Sequence, residues 1–218
     1  MLKKTIAAIA GHGLVLFVRM LTAPRTIWAG IEPIPRKRVY FANHTSNADF
    51  PVIWTALPAF LRSQTRPVAA SDYWLKSRPR AFFGRDVLNA VLINRDRETR
   101  DASEDPVALM VAALDEGSSL ILFPEGGRNL TEDPVLPFKS GLYHLARARP
   151  DVDLVPTWID NMNSVLPKGE VVPVPLICTV TFGSPLHIAP GEDRDIFLSR
   201  AGRALAALSG RGDDHGAR

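Results

Sequence analysis

The sequence predicts an α/β protein with a single domain, in which a central, mostly parallel sheet is covered by helices and preceded by an N-terminal apolar helical segment. Short apolar runs typical of buried strands alternate with longer segments of helical character, which is the pattern of a sheet built from helix crossovers. The 218 residues suffice for one well-packed domain. Cys178 is the sole cysteine, so no intramolecular disulfide can form, which fits a cytosol-facing protein.

The first 30 residues form the predicted N-terminal segment. Lys3 and Lys4 precede an uncharged run at 5–18, which is shorter than the roughly 20 residues of a membrane-spanning helix. A basic start with an apolar centre suits a helix that lies in the headgroup region of an anionic membrane. Gly11 and Gly13 weaken such a helix, and a core helix packed on the domain is the alternative. The side chains expected to face lipid are Ile6, Ile9, Leu14, Leu16, Phe17 and Trp28.

The main domain is predicted over residues 31–208, followed by a disordered tail at 209–218. Asp49 is expected to cap its first helix, with Pro51 in the first turn. The segment 170–175 is interrupted by prolines and is expected to be an edge strand or a loop. The predicted strands are 39–42, 67–70, 91–94, 119–123, 154–159 and 177–182. The predicted helices are 50–61, 72–76, 81–89, 106–115, 140–149 and 192–208.

Charge is distributed unevenly along the chain. Residues 1–100 carry 16 Lys and Arg against 6 Asp and Glu, whereas residues 101–218 carry 10 against 17. A basic first half indicates a partner that bears phosphates, such as an anionic membrane, a nucleic acid or an anionic carrier, and an uneven solvated surface is the alternative. No nucleic-acid motif accompanies these charges, so we expect no nucleic-acid partner. The histidines lack metal-ligand spacing, so we predict no metal site.

Polar side chains follow three of the predicted strands. His44 and Asp49 come after the first strand, Arg95 after the third, and a glycine-containing turn at 125–128 after the fourth. If these strands are parallel, the loops leave one edge of the sheet, where α/β proteins bind ligands. A histidine base oriented by a carboxylate, beside arginines suited to phosphate, describes a site for a hydroxyl nucleophile on a phosphate-bearing molecule.

Four sequence blocks resemble the glycerol-phosphate and lysophosphatidic acid acyltransferase family. They are Asn-His-x-Ser-x-x-Asp at 43–49, an apolar run ending in arginine at 92–95, Phe-Pro-Glu-Gly-x-Arg within 123–129, and Val-Pro within 154–157. The blocks occur in the family's order, and the resemblance covers about residues 38–185. Gly127 stands where the family usually has Thr, and Asn129 where it usually has Ser, which bears on acceptor selectivity.

The resemblance implies a role for each matching residue. His44 would take the proton from an acceptor hydroxyl as its oxygen attacks an acyl thioester, and Asp49 would orient the imidazole. Ser46 is expected to stabilise its loop through its hydroxyl rather than to act as a nucleophile. The residues implied to bind or shape the acceptor's phosphate pocket are Arg95, Glu125, Gly126, Gly127 and Arg128. The residues implied to support the site's loops are Asn43, Ser46 and Pro156, with Pro156 fixing a loop near the acyl donor.

The expected function is transfer of a fatty acyl group from acyl-CoA or acyl-carrier protein to the free hydroxyl of 1-acylglycerol 3-phosphate. The resemblance implies no cofactor beyond this acyl donor. The chain is expected to act at the cytoplasmic face of an anionic membrane, as a peripheral or monotopic protein. Two alternatives stay open: another lysolipid acceptor, such as a lysophospholipid or an amino-acid lipid, or a non-catalytic protein that binds lipids or anions.

Overall fold

The computed structural model describes residues 2–96, 105–160 and 178–210. In this part of the chain, seven strands form one sheet with helices on both faces. The strands are β1 Arg25–Trp28, β2 Arg38–Ala42, β3 Thr65–Ala70, β4 Val91–Ile93, β5 Ser119–Leu122, β6 Asp153–Asp160 and β7 Thr179–Phe182. The helices are α1 Leu2–Thr22, α2 Asp49–Ala56, α3 Ala59–Arg62, α4 Ser71–Trp74, α5 Arg78–Phe82, α6 Pro106–Asp115, α7 Gly141–Ala148 and α8 Arg194–Ala206. A π-helical turn, Phe83–Val87, follows α5.

The sheet confirms the predicted α/β fold. Its strand order is β1-β7-β6-β2-β5-β3-β4, and every neighbouring pair is parallel except β6 and β7. The five strands from β6 to β4 in this order therefore run in one direction. The loops that follow β2, β4 and β5 consequently leave the same edge of the sheet, as the sequence predicts.

Two apolar clusters cover the two faces of the sheet. β2 and β5 are buried at every position. After their first residues, their sequences are therefore continuous apolar runs, without the alternation of apolar and polar residues that a half-buried strand shows. Tyr40 and Ile121 pack on one face with residues of α1, α2 and α3. Phe41 and Leu122 pack on the other face with residues of α6, α7 and α8. This burial on both faces holds rigid the strands that carry the candidate site.

The N-terminal helix is longer than the uncharged run suggested. α1 has 21 residues and contains an 18-residue stretch with a mean hydropathy of 1.6, so by length and composition it could cross a membrane, and the expectation that it is too short is wrong. One face packs on α2 and the π-helical turn and buries Ala7, Gly11, Val15 and Val18. The apolar side chains exposed on its other face are Leu2, Ile6, Ile9, Leu16, Phe17 and Met20.

Residues 25–28, which we assigned to the helical segment, instead form the edge strand β1. α1 ends because Pro24 cannot continue it, and Ala23 takes a positive φ of 34°. β1 pairs in parallel with β7, and the Trp28 ring stacks on Phe182 with centroids 4.3 Å apart. Trp28 is therefore part of the sheet's packing, and its predicted place on a lipid-facing helix is wrong. Folded structure of the main domain thus begins before residue 31.

A proline explains a further difference. The helix expected at 50–61 is two helices, because Leu57 adopts an extended ψ of 139° before Pro58, as residues that precede proline usually do. Pro156, expected to support a loop near the acyl donor, lies inside β6, within the strand predicted at 154–159, and its carbonyl accepts a hydrogen bond from the Gly183 N–H at 2.8 Å. The segment 170–175 and the tail at 211–218 lie outside the described residues.

Candidate active site

A histidine and an aspartate meet where β2 gives way to α2. His44 Nδ1 lies 2.9 Å from Asp49 Oδ2. The Asp49 side chain is completely buried, whereas the His44 side chain is 21 % exposed. With its Nδ1 proton donated to the carboxylate, the imidazole presents Nε2 as its acceptor atom. The pair thus has a buried orienting group and a base that reaches solvent.

The carboxylate of Asp49 is fixed by the loop that it follows. Oδ2 also accepts hydrogen bonds from the backbone N–H groups of Thr45, at 2.7 Å, and Ser46, at 2.8 Å. Three donors therefore hold one oxygen. Asp49 is the first residue of α2 rather than its cap, and Ala48 precedes the helix without a side-chain hydrogen bond. The predicted capping role is wrong because the side chain turns back to the loop.

The loop after β5 holds the His44 loop from the opposite side. Buried Glu125 accepts the His44 N–H through Oε1 at 3.1 Å and the Leu136 N–H through Oε2 at 3.2 Å. The Asn129 N–H donates to the His44 carbonyl at 2.6 Å. Burial raises the pKa of the Glu125 carboxyl, and the two backbone hydrogen bonds act in the opposite direction. Both oxygens are engaged by the backbone, so Glu125 shapes the site.

Two side chains beside His44 were not predicted as site residues. The Phe123 ring stacks on the imidazole with centroids 4.3 Å apart and an interplanar angle of 22°. The buried Asn129 side chain donates to the Asp133 carbonyl at 2.6 Å and accepts from the Thr131 N–H at 2.9 Å. Phe123 and Asn129 both lie in the block at 123–129, but their contacts with His44 depend on the pairing of β2 with β5.

The supporting residues Asn43 and Ser46 both bond to the backbone. The buried Asn43 amide donates to the Ile159 carbonyl at 3.1 Å and accepts the Ile159 N–H at 2.9 Å, which joins the end of β2 to β6. The Ser46 hydroxyl accepts the Ala48 N–H at 3.3 Å. These bonds fix the loop that presents His44.

The two predicted phosphate-binding arginines occupy different surroundings. Arg128 is exposed in the turn next to the His44 loop and forms no ion pair with any described residue. Arg95 follows β4, which is three strands from β2, so the two strands lie about 14 Å apart. Its guanidinium already approaches Asp72 at 3.3 Å. The structure therefore places Arg128, more directly than Arg95, beside the histidine.

Gly126 and Gly127 form a matched pair for testing the turn. Gly126 has a φ of 73°, and a Cβ there would lie 3.1 Å from Cγ of Lys139, whereas a Cβ on Gly127 would meet nothing within 4 Å. We expect Gly126→Ala to destabilise the fold by about 1–2 kcal/mol, the usual cost of left-handed backbone for a residue with Cβ. Gly127→Ala should change it by less than about 0.5 kcal/mol. Urea unfolding measures both, and equal losses would contradict this account.

Other reactive groups lie outside this arrangement. Across residues 2–96, 105–160 and 178–210, no cluster of three or more His, Cys, Asp or Glu could hold a metal ion. Cys178 is fully buried, and burial, followed by the charge of Asp49, raises its thiol pKa to about 11. Such a thiol is a poor nucleophile.

The fold and the sequence blocks at the edge of the sheet define an enzyme of acyl transfer. The profile of the Acyltransferase family matches residues 25–160, which is more than half of the chain, and the chain belongs to that family. This match confirms the resemblance that the blocks predict. No curated protein matches the chain by sequence.

A solved structure has a similar fold. It is the 1-acyl-sn-glycerophosphate (LPA) acyltransferase PlsC from Thermotoga maritima, which is 21 % identical and matches with a TM-score of 0.65. The match covers 95 % of this chain and 80 % of that chain.

Proposed function

We propose that the chain transfers a fatty acyl group from an acyl thioester, acyl-CoA or acyl-carrier protein, to the free hydroxyl of 1-acylglycerol 3-phosphate. The observation that carries this proposal is the 2.9 Å hydrogen bond between His44 and Asp49 at the ligand-binding edge of the sheet. Membership of the Acyltransferase family supplies the reaction class, and the exposed Arg128 beside the pair supports an acceptor that bears a phosphate.

The reaction requires one base and no covalent enzyme intermediate. Nε2 of His44 takes the acceptor's hydroxyl proton as the oxygen attacks the thioester carbonyl, which forms a C–O bond and a tetrahedral oxyanion. Collapse of this intermediate breaks the C–S bond, and the imidazolium returns the proton to the thiolate. Asp49 keeps the ring in the tautomer with Nε2 unprotonated at the start. A positioned general base typically contributes roughly 10²–10⁴-fold to the rate.

Arg128→Ala tests the proposed recognition of the acceptor's phosphate. We expect kcat/KM for 1-acylglycerol 3-phosphate to fall roughly 10- to 100-fold, because hydrogen bonds to a charged group contribute about 1.5–3 kcal/mol. Arg95→Ala should have a smaller effect, since its guanidinium is shared with Asp72. Arg147→Ala is the control: it removes the same charge from α7, which packs on the face of the sheet opposite to α2. Equal losses in the Arg128 and Arg147 variants would exclude Arg128 from phosphate binding.

The exposed apolar face of α1 supports a proposed location at the surface of an anionic membrane, on its cytoplasmic face. Phe17 is 53 % exposed on this face. We expect Phe17→Glu to weaken binding to vesicles of phosphatidylcholine and phosphatidylglycerol at least roughly tenfold, because it places a charge among side chains that would enter the headgroup region. Flotation of the full chain measures this, with His12→Glu on the same helix as the control. Equal effects of both substitutions would contradict insertion of this face.

Another lysolipid acceptor is a second candidate, which the departure at Gly127 favours. Gly127 is exposed and leaves open space where the family usually has Thr, so the acceptor's head group meets a different surface. Product analysis with a panel of lysophosphatidic acid, neutral lysophospholipids and N-acyl amino acids whose acyl chain bears a free hydroxyl separates these acceptors. Preference for lysophosphatidic acid supports the first proposal, and preference for another acceptor replaces it. Absence of acyl transfer to every acceptor would favour the non-catalytic lipid- or anion-binding alternative.

A further inference from the structure

A cleft separate from the candidate active site opens where the end of α1 meets β1 and the end of α2. Its volume is about 310 Å³, and none of its lining residues is acidic. Thr55 in its wall is six residues after Asp49 on α2, so the cleft lies about 9 Å along the helix axis from the catalytic pair. The lining residues are Arg19, Ala23, Pro24, Thr26, Thr55 and Ala56.

Arg19 lines this cleft and Arg62 lies next to it, bonded to the residue that follows Ala56, and neither guanidinium has an acidic partner among the described residues. Nη1 of Arg62 donates to the carbonyl of that residue, Leu57, at 3.1 Å. Burial and, second, the positive charge of Arg19 lower the pKa of Arg62. Like charges repel each other, and an anion bound between them would relieve the repulsion.

The wall of the cleft also contains polar groups. The Thr26 hydroxyl donates to the Ala56 carbonyl at 3.2 Å. Thr55 is 1 % exposed, and its hydroxyl has no hydrogen-bond partner among the described residues. Buried hydroxyls are usually hydrogen-bonded, so this one is a group for which the protein alone supplies no partner.

We propose that this cleft binds a phosphate oxyanion between Arg19 and Arg62. Guanidinium groups suit phosphate because each can donate two parallel hydrogen bonds to its oxygens. The headgroup of an anionic phospholipid fits best, because Leu16, one turn before Arg19 on α1, and Met20, the residue after it, expose apolar surface. A lipid whose chains lay along these side chains would place its phosphate at the cleft. Free inorganic phosphate has the same chemistry and is the other possible source.

Vesicle flotation of the full chain tests the proposal with no reference to acyl transfer. The variants are the double substitution Arg19→Gln and Arg62→Gln, and a control double substitution Arg147→Gln and Arg203→Gln on the opposite face of the sheet. Both remove two positive charges. We expect the first to weaken binding to phosphatidylcholine vesicles containing phosphatidylglycerol at least roughly tenfold relative to the control, since each basic residue near an anionic surface contributes about fivefold. Binding to pure phosphatidylcholine should be the same in both.

Titration of the protein with inorganic phosphate, with the heat of binding measured by calorimetry, separates a lipid headgroup from free phosphate as the ligand. Selective loss of vesicle binding assigns the cleft to a lipid headgroup. Equal vesicle binding, together with phosphate binding that disappears only in the Arg19 and Arg62 variant, assigns it to free phosphate. Equal vesicle binding in both double variants without phosphate binding to the wild type would overturn the proposal. Arg19→Gln alone, at an exposed position, keeps the test valid if loss of Arg62 unfolds the chain.

Discussion

Replacing His44 with alanine is expected to lower kcat for acyl transfer by roughly 10²–10⁴-fold, the usual contribution of a positioned general base. The substitution removes the ring that is hydrogen-bonded to Asp49 and stacked on Phe123. Without Nε2, the acceptor hydroxyl must lose its proton to water. Release of free thiol from acyl-CoA in the presence of 1-acylglycerol 3-phosphate measures the effect.

The fold should survive this substitution. The bonds that join the His44 loop to its neighbour use backbone atoms: its N–H donates to Glu125, and its carbonyl accepts from Asn129. Alanine retains both bonds, so the circular dichroism spectrum should match the wild type. His144→Ala, at an exposed position on α7, is the matched control and should keep full activity. Wild-type kcat in a folded His44→Ala variant would remove His44 from the mechanism.

The second large effect is expected from Asp49→Asn. An asparagine oxygen can take the place of Oδ2 and accept the Thr45 and Ser46 N–H groups, so the loop keeps its hydrogen bonds. The neutral amide no longer stabilises an imidazolium that forms during proton transfer. We therefore expect kcat to fall roughly 10²–10⁴-fold with little change in the free energy of unfolding.

Asp49→Ala separates catalysis from stability at the same position. Alanine leaves the Thr45 and Ser46 N–H groups without their acceptor, and each unsatisfied buried donor costs about 1–3 kcal/mol. This variant should lose activity as well as stability, whereas Asp49→Asn should lose activity alone. Urea unfolding and thiol release, measured on both variants, test this difference. An active Asp49→Asn variant would show that the carboxylate's charge is not needed.

The sequence was sufficient to predict the central parallel strands because buried parallel strands leave a strong pattern. β2 and β5 are buried at every position and are apolar after their first residues, Arg38 and Ser119; their loops carry the polar blocks, so parallel pairing predicts that these loops meet. The contact between His44 and Glu125 follows from this pairing. Local periodicity and the parallel-strand rule were enough to bring the site's loops together.

Features that depend on contacts distant in sequence were not predictable in this way. β1 has four residues, and it is a strand because it pairs with β7, about 150 residues later. Asp49 reads as a helix cap from its neighbours, yet its carboxylate bonds to the loop before it, because His44 and two N–H groups converge there. Arg95 was expected beside the site, but the strand order places β4 at the sheet's far edge.

Thiol release from acyl-CoA, measured with and without 1-acylglycerol 3-phosphate, tests the central claim most directly. We expect purified wild-type protein to release thiol only when the acceptor is present, with one molecule of diacylated product formed per thiol. If acyl-CoA gives no release, acyl-carrier protein takes its place as the donor. Acceptor-dependent release with either donor supports an acyltransferase, and its loss in the His44→Ala variant supports His44 as the base. No release with both donors, or equal release without acceptor, would contradict it.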